Sequence, residues 1–93
     1  MKTIYKYPIQ PSVEEIVLKI PGGGPVFSAG LDAHNKMCVW AFADTEEKEK
    51  PVTIYCIGTG WATDWIVNKG STIQFIGTVK QGVFMWHIFM EVK

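Results

Sequence analysis

The chain is a succession of short β-favouring runs, each cut off by glycine, proline or polar turn residues. No stretch carries apolar residues at helical spacing for long enough to build a full helix. This pattern confines the chain to an all-β fold. The expectation is a small single-domain sandwich or barrel over residues 1–93, of about six to seven mostly antiparallel strands, with at most one short helix near 63–69. Ninety-three residues hold one core, which excludes a multi-domain enzyme. An apolar content of 47% excludes a disordered chain, which lacks the surface to offset its ordering entropy.

Thr3 to Pro8 reads as the first strand, with Tyr5 and Tyr7 on one face and Ile4 and Lys6 on the other. Ser12-Val13-Glu14-Glu15 matches a capping box, but Ile16, Leu18 and Ile20 alternate with Val17 and Lys19 and stop at Pro21, so the segment is read as a strand. Gly22-Gly23-Gly24 precedes Pro25 with no helix and no P-loop lysine after it, which makes it a turn. Val26 to Leu31 and Met37 to Ala43 form a hairpin across Asp32-Ala33-His34-Asn35-Lys36, with His34 at the exposed tip. Trp40 is assigned to the core, and Asp44 to Lys50 to a solvated loop. Pro51 to Ile57 is another strand. Thr63 to Lys69 forms one or two helical turns stopped by Gly70. Thr72 to Val79 and Val83 to Val92 pair as a C-terminal hairpin across Lys80-Gln81-Gly82. The second arms of both hairpins are apolar on both faces, the mark of a central or interface strand.

Charge narrows the partners. Nine acidic and nine basic residues cancel, so no long-range field gathers duplex DNA or RNA or an anionic membrane. All the basic residues are lysines, so an anion site must rely on Lys, backbone N–H groups or hydroxyls. No apolar run approaches the roughly 20 residues of a membrane-spanning helix, and the opening residues lack a signal-peptide core, so a soluble, unexported protein is expected. Cys38 and Cys56 lie in apolar runs without CxxC spacing and read as buried, reduced thiols. No catalytic constellation stands out, and no cofactor is implied: the carboxylates sit in turns, and a Cys–His pair or a zinc site from Cys38, Cys56, His34 and His87 has no supporting spacing. The chain is therefore read as a non-enzyme with no metal.

Binding is better supported. Four tryptophans and three tyrosines exceed what so small a core requires, and aromatics beside glycine turns make stacking platforms for flat ligands. Gly58-Thr59-Gly60-Trp61 is the most site-like segment, since two glycines around a threonine let the backbone approach a ligand with a hydroxyl at hand. A turn placed only to reverse the chain accounts for the same residues. Trp65 follows close behind, and Trp86 precedes His87, which alone reads more readily as a satisfied core histidine than as a ligand contact.

Gly58-Thr59-Gly60, Phe75-Ile76-Gly77-Thr78 and Phe84-Met85-Trp86-His87-Ile88-Phe89, with the opening Thr3-Ile4-Tyr5-Lys6-Tyr7-Pro8 and the Cys38-Val39-Trp40-Ala41 strand, resemble a family of small bacteriophage proteins carried as a domain of unknown function. Many relatives have a histidine after the GTG where this chain has Trp61, and the segment Trp61 to Gly70 also departs. The chain is similar to phage anti-defence proteins that act as sponges for cyclic nucleotide signals of CBASS and Thoeris immunity. The resemblance implies a small homo-oligomer in the cytoplasm of the infected host, with sites at or near subunit interfaces, that sequesters a cyclic dinucleotide or related signal without degrading it. On that reading bases stack on Trp61, Trp65 or Tyr5, near Trp86. Phosphates are held by Gly58-Thr59-Gly60 N–H groups, the Thr59 hydroxyl and Lys6, with His87 touching base or phosphate. The rival reading is a phage structural or protein-interaction module, a minor virion component or a direct inhibitor of a host protein.

Overall fold

The computed structural model describes residues 1–67 and 72–92. In chain order the elements are β1 (Lys2–Pro8), β2 (Ile16–Pro21), β3 (Val26–Leu31), β4 (Met37–Asp44), β5 (Glu49–Gly58), α1 (Asp64–Val67), β6 (Thr72–Gln81) and β7 (Phe84–Val92). The strands form two antiparallel sheets, ordered β1-β4-β3 and β2-β5-β7-β6, stacked as a small β sandwich. The all-β expectation holds. The two hairpins read from turn chemistry, β3–β4 and β6–β7, are both present.

Alternation builds the core. Met37, Val39, Ala41 and Ala43 of β4 face Ile20 of β2, Val52, Ile54 and Cys56 of β5, and Ile88 and Met90 of β7 in one cluster between the sheets. Ile20, Ile54 and Ile88 are fully buried, each worth roughly 1.5–3 kcal/mol of transfer free energy. The other face of β5 explains its unbroken apolar run. Tyr55 and Ile57 point away from the sandwich and are covered by Ile66 and Trp65 of α1, with Phe89 of β7 alongside. The short helix expected near 63–69 appears as Asp64–Val67. Lys69 and the Gly70 stop lie outside the described residues.

Two expectations are corrected. Trp40 is half-buried, not core: it lies on the outer face of its sheet, its ring 3.5 Å from where a Cβ on Gly30 would sit. Central position in the sheet, not enclosure, made its strand apolar on both sides. On that same face Phe27 and Phe42 pack at 4.6 Å between centroids and stay partly exposed. The run Asp44 to Lys50 is not all loop, because Glu49 and Lys50 pair with Pro21 and Ile20 and lengthen β5.

The turns behave as their residues dictate. Ser12 accepts the Glu14 N–H at 3.0 Å, a local turn that leads into β2 instead of a helix. Gly22, Gly23 and Gly24 all have φ near +81°, left-handed geometry that a side chain would strain. Asp32 organises the β3–β4 turn by accepting the backbone N–H of His34 at 2.8 Å and of Lys36 at 2.9 Å and the ammonium of Lys6 at 2.9 Å. These donors hold the Asp32 carboxyl well below the usual carboxylate range, the Lys36 N–H most of all. Cys38 and Cys56 are buried free thiols, as expected.

Candidate functional site

The glycine turn after β5 is shaped by aromatic rings. Gly58 pairs with Trp86 on β7, and a Cβ at Gly58 would meet Trp61 Nε1 at 2.8 Å and Trp86 Cζ3 at 2.9 Å. Only glycine leaves room for both indoles. The Trp61 N–H donates to the Gly58 carbonyl at 3.1 Å, and Gly60 takes φ of +88°, which folds the Trp61 ring back over the strand end. Trp61 meets Trp86 edge on at 5.5 Å between centroids, and Phe84 stacks on Trp86 at 5.5 Å with planes 20° apart. A notch of about 470 Å³ opens among Gly58, Thr59, Trp61, Phe84, Met85 and Trp86. That volume lies within the range of small-molecule sites. Phe84 is 59% and Trp61 38% exposed. Trp86 Nε1 is buried with no hydrogen-bond partner among the described residues, a donor that costs about 1–3 kcal/mol while unmet.

The opposite face of the same strand ends is polar. Thr59 Oγ1 lies 2.7 Å from His87 Nε2, and Thr78 Oγ1 lies 3.2 Å from His87 Nδ1, so both ring nitrogens are engaged by hydroxyls. Thr78 sits opposite His87 in the β6–β7 ladder, and Lys80 opposite Met85, the next position on the same face. His87 is thus neither a lone core residue nor a free one.

The structure brings Gly58, Thr59, Gly60, Trp61, Trp86 and His87 together. Trp65 lies nearby: it shares a smaller pocket of about 360 Å³ with Val13, Trp61 and Ala62. Its indole N–H donates to the Ala62 carbonyl at 3.2 Å and its ring meets Tyr55 edge on, so it braces the loop after the glycine turn. Tyr5 and Lys6 belong to the other sheet. Tyr5 packs against Tyr7 at 6.5 Å, and Lys6 is turned to Asp32. The expected backbone donors are partly engaged as well, since the Thr59 N–H points to the Met85 carbonyl at 3.4 Å and the Trp61 N–H closes the turn.

Phe84, Thr78 and Lys80 escaped the sequence reading. Their signal was the ladder register: Phe84 lies on β7 two residues before Trp86, and Thr78 and Lys80 stand opposite His87 and Met85, with β7 between them and the glycine turn. Another cleft, of about 830 Å³, runs along Pro8 to Ser12 to Met37 and Gln81, and its described lining residues include no aromatic ring. Among the described residues no group of three or more His, Cys, Asp or Glu side chains could hold a metal ion.

A family model described as Domain of unknown function (DUF7352) matches residues 1–93, and the chain belongs to that family. No curated protein and no solved structure matches it.

Proposed function

We propose that this chain binds a cyclic nucleotide signal by stacking a base on the Trp61–Trp86–Phe84 platform, and withholds the signal without degrading it. One observation carries this reading: two indoles packed over Gly58, with a third ring stacked outside them, form an exposed aromatic notch in a chain this small. Base–aromatic stacking contributes about 1–3 kcal/mol per base and tolerates any base identity. In the bacteriophage setting that the resemblance implies, the protein acts in the host cytoplasm and lowers the free signal below the threshold of defence effectors. That requires protein in excess of signal and a Kd below the threshold. A second copy closing over the exposed Val83, Phe84 and Met85 would complete the site.

The test is thermal unfolding against cyclic dinucleotides, cyclic trinucleotides and ADP-ribose-derived signals. A ligand at about 100 times its Kd adds roughly 2.7 kcal/mol, a rise of several degrees in a domain of this size. The expected result is a rise for one ligand class, its loss in Trp61→Ala, and recovery of the ligand intact after denaturation. Absence of any shift across the panel, or recovery of a cleaved product, overturns the reading.

A second reading, a protein-interaction module, is favoured by the outer face of the first sheet. There Ile4, Phe27 and Phe42 leave apolar surface exposed far from the notch. Phe42→Ser that abolishes assembly or partner binding while leaving ligand shifts intact would separate the two roles.

A further inference from the structure

We propose that Lys80 and Thr78 form an anion subsite, oriented by His87, that takes the phosphate of the ligand whose base occupies the aromatic notch. The proposal rests on the stacking reading for the base but not for the anion.

His87 is held by two threonine hydroxyls, one at each ring nitrogen. Thr59 Oγ1 lies 2.7 Å from Nε2 and Thr78 Oγ1 lies 3.2 Å from Nδ1, and the proposed subsite takes the tautomer with the proton on Nδ1, in which Thr59 donates to the ring and Thr78 accepts from it. A neutral imidazole has one donor and one acceptor, so this assignment uses both. The consequence falls on Thr78. Its oxygen accepts from His87, so its own proton is left to donate elsewhere, and it lies exposed on the edge strand β6. Thr59 by contrast has its proton committed.

Lys80 is the second half. Inward-facing Val79 separates Thr78 and Lys80, so both side chains leave the same outer face of β6, about 7 Å apart along the strand. The ion pairs among the described residues involve the N-terminal amine and Lys6, and no carboxylate of theirs pairs with Lys80. A hydroxyl proton and an ammonium at this separation span a phosphate. Lysine serves such a group as a point charge, without the fork of an arginine. Met85 connects the two regions. It sits opposite Lys80 in the ladder and also lines the notch, so a ligand would pass Met85 at the strand end to join an anion at Lys80 to rings that leave the opposite face of β7. This assignment replaces Lys6, which Asp32 holds on the other sheet.

Two probes test it separately. The first is pyrophosphate, titrated into the purified chain while the His87 ring and Thr78 resonances are followed by NMR. The expected result is a saturable shift of both, abolished in Lys80→Ala and weakened in Thr78→Val, with Lys80→Arg and Thr78→Ser retaining it. Raising the salt weakens the binding, as for any exposed charge contact. The second probe is AMP against adenosine by calorimetry. AMP binds about tenfold tighter, the scale of a single charge-assisted contact, and Lys80→Ala erases that advantage while leaving adenosine affinity unchanged.

Absence of a saturable pyrophosphate shift, or an AMP-to-adenosine ratio indifferent to Lys80→Ala, overturns the subsite. Pyrophosphate binding with no response to any nucleoside or nucleotide would instead leave the anion site standing and remove the stacking reading. Both variants lie on an exposed face, and Thr78→Ser and Lys80→Arg guard against a loss that is only structural.

Discussion

Thr59 and His87, 28 residues apart in sequence, are joined by a 2.7 Å hydrogen bond that ties the glycine turn after β5 to the outer face of β7. The contact, with Thr78 Oγ1 3.2 Å from the other ring nitrogen, fixes the orientation of the imidazole. Thr59→Val is expected to lower unfolding free energy by about 1 kcal/mol, the net worth of a partly exposed hydrogen bond, and Thr59→Ser to restore it. Urea unfolding of the three proteins checks this. Equal stability of wild type and Thr59→Val would show that the bond does not hold the turn.

Gly58 and Gly60 answer to different constraints, and alanine at each should fail differently. A Cβ at Gly58 overlaps Trp61 and Trp86, so Gly58→Ala must displace the indoles, at a cost of roughly 1–3 kcal/mol and with a change in tryptophan emission. At Gly60 nothing lies within 4 Å and only the left-handed backbone resists, so Gly60→Ala costs roughly 1–2 kcal/mol with native emission unchanged. The same emission change in both variants would refute the assignment of Gly58 to ring packing.

Asp32 predicts a pH dependence. Its carboxyl is held below the ordinary value of 3.8 by the Lys36 N–H first, then by Lys6 and the His34 N–H. A carboxylate depressed in the folded state contributes stability that is fully present above its unfolded value and is lost as pH falls through the folded one. The urea midpoint of wild type should therefore exceed that of Asp32→Asn at pH 7, with the gap closing below about pH 4. A gap that persists unchanged at pH 2 would assign the effect to shape instead of charge.

The thiols should be inert in the folded protein. Burial pushes the Cys56 thiol up to about 11 and raises that of Cys38 as well. Iodoacetamide at pH 8 should leave both unmodified by mass spectrometry, and modify both in urea. Rapid labelling of either cysteine without denaturant would mean that the sandwich opens locally.

Much of the fold was legible because its signals are local. Asp32 to Lys36 and the Gly82 turn carry their own turn chemistry, and the strands on either side pair with whatever the turn returns to them. The Gly58-Thr59-Gly60-Trp61 segment was legible as a tight turn carrying a hydroxyl and a ring for the same reason, since all stand within four consecutive positions. Lys6 was not, because its role depends on Asp32 of the β3–β4 turn, 26 residues away. Thr78, Lys80 and Phe84 were invisible for a related reason: they acquire meaning only from the register that sets Thr78 against His87 and Lys80 against Met85.

Strands, hairpins and the aromatic surplus follow from the chain alone, since alternation, turn residues and composition act over a few neighbours. The tertiary structure decided which face of each two-sided strand looks inward. Period-two alternation distinguishes two faces without saying which one meets the core, and a one-residue slip exchanges them. Trp40 went to the outside and Tyr55 beneath α1 because the volume between the sheets was filled by Val39, Ile54 and Ile88. The pairing of β5 with β7, which carries Thr59 to His87 and Trp61 to Trp86, was likewise settled by packing between segments that the sequence keeps far apart.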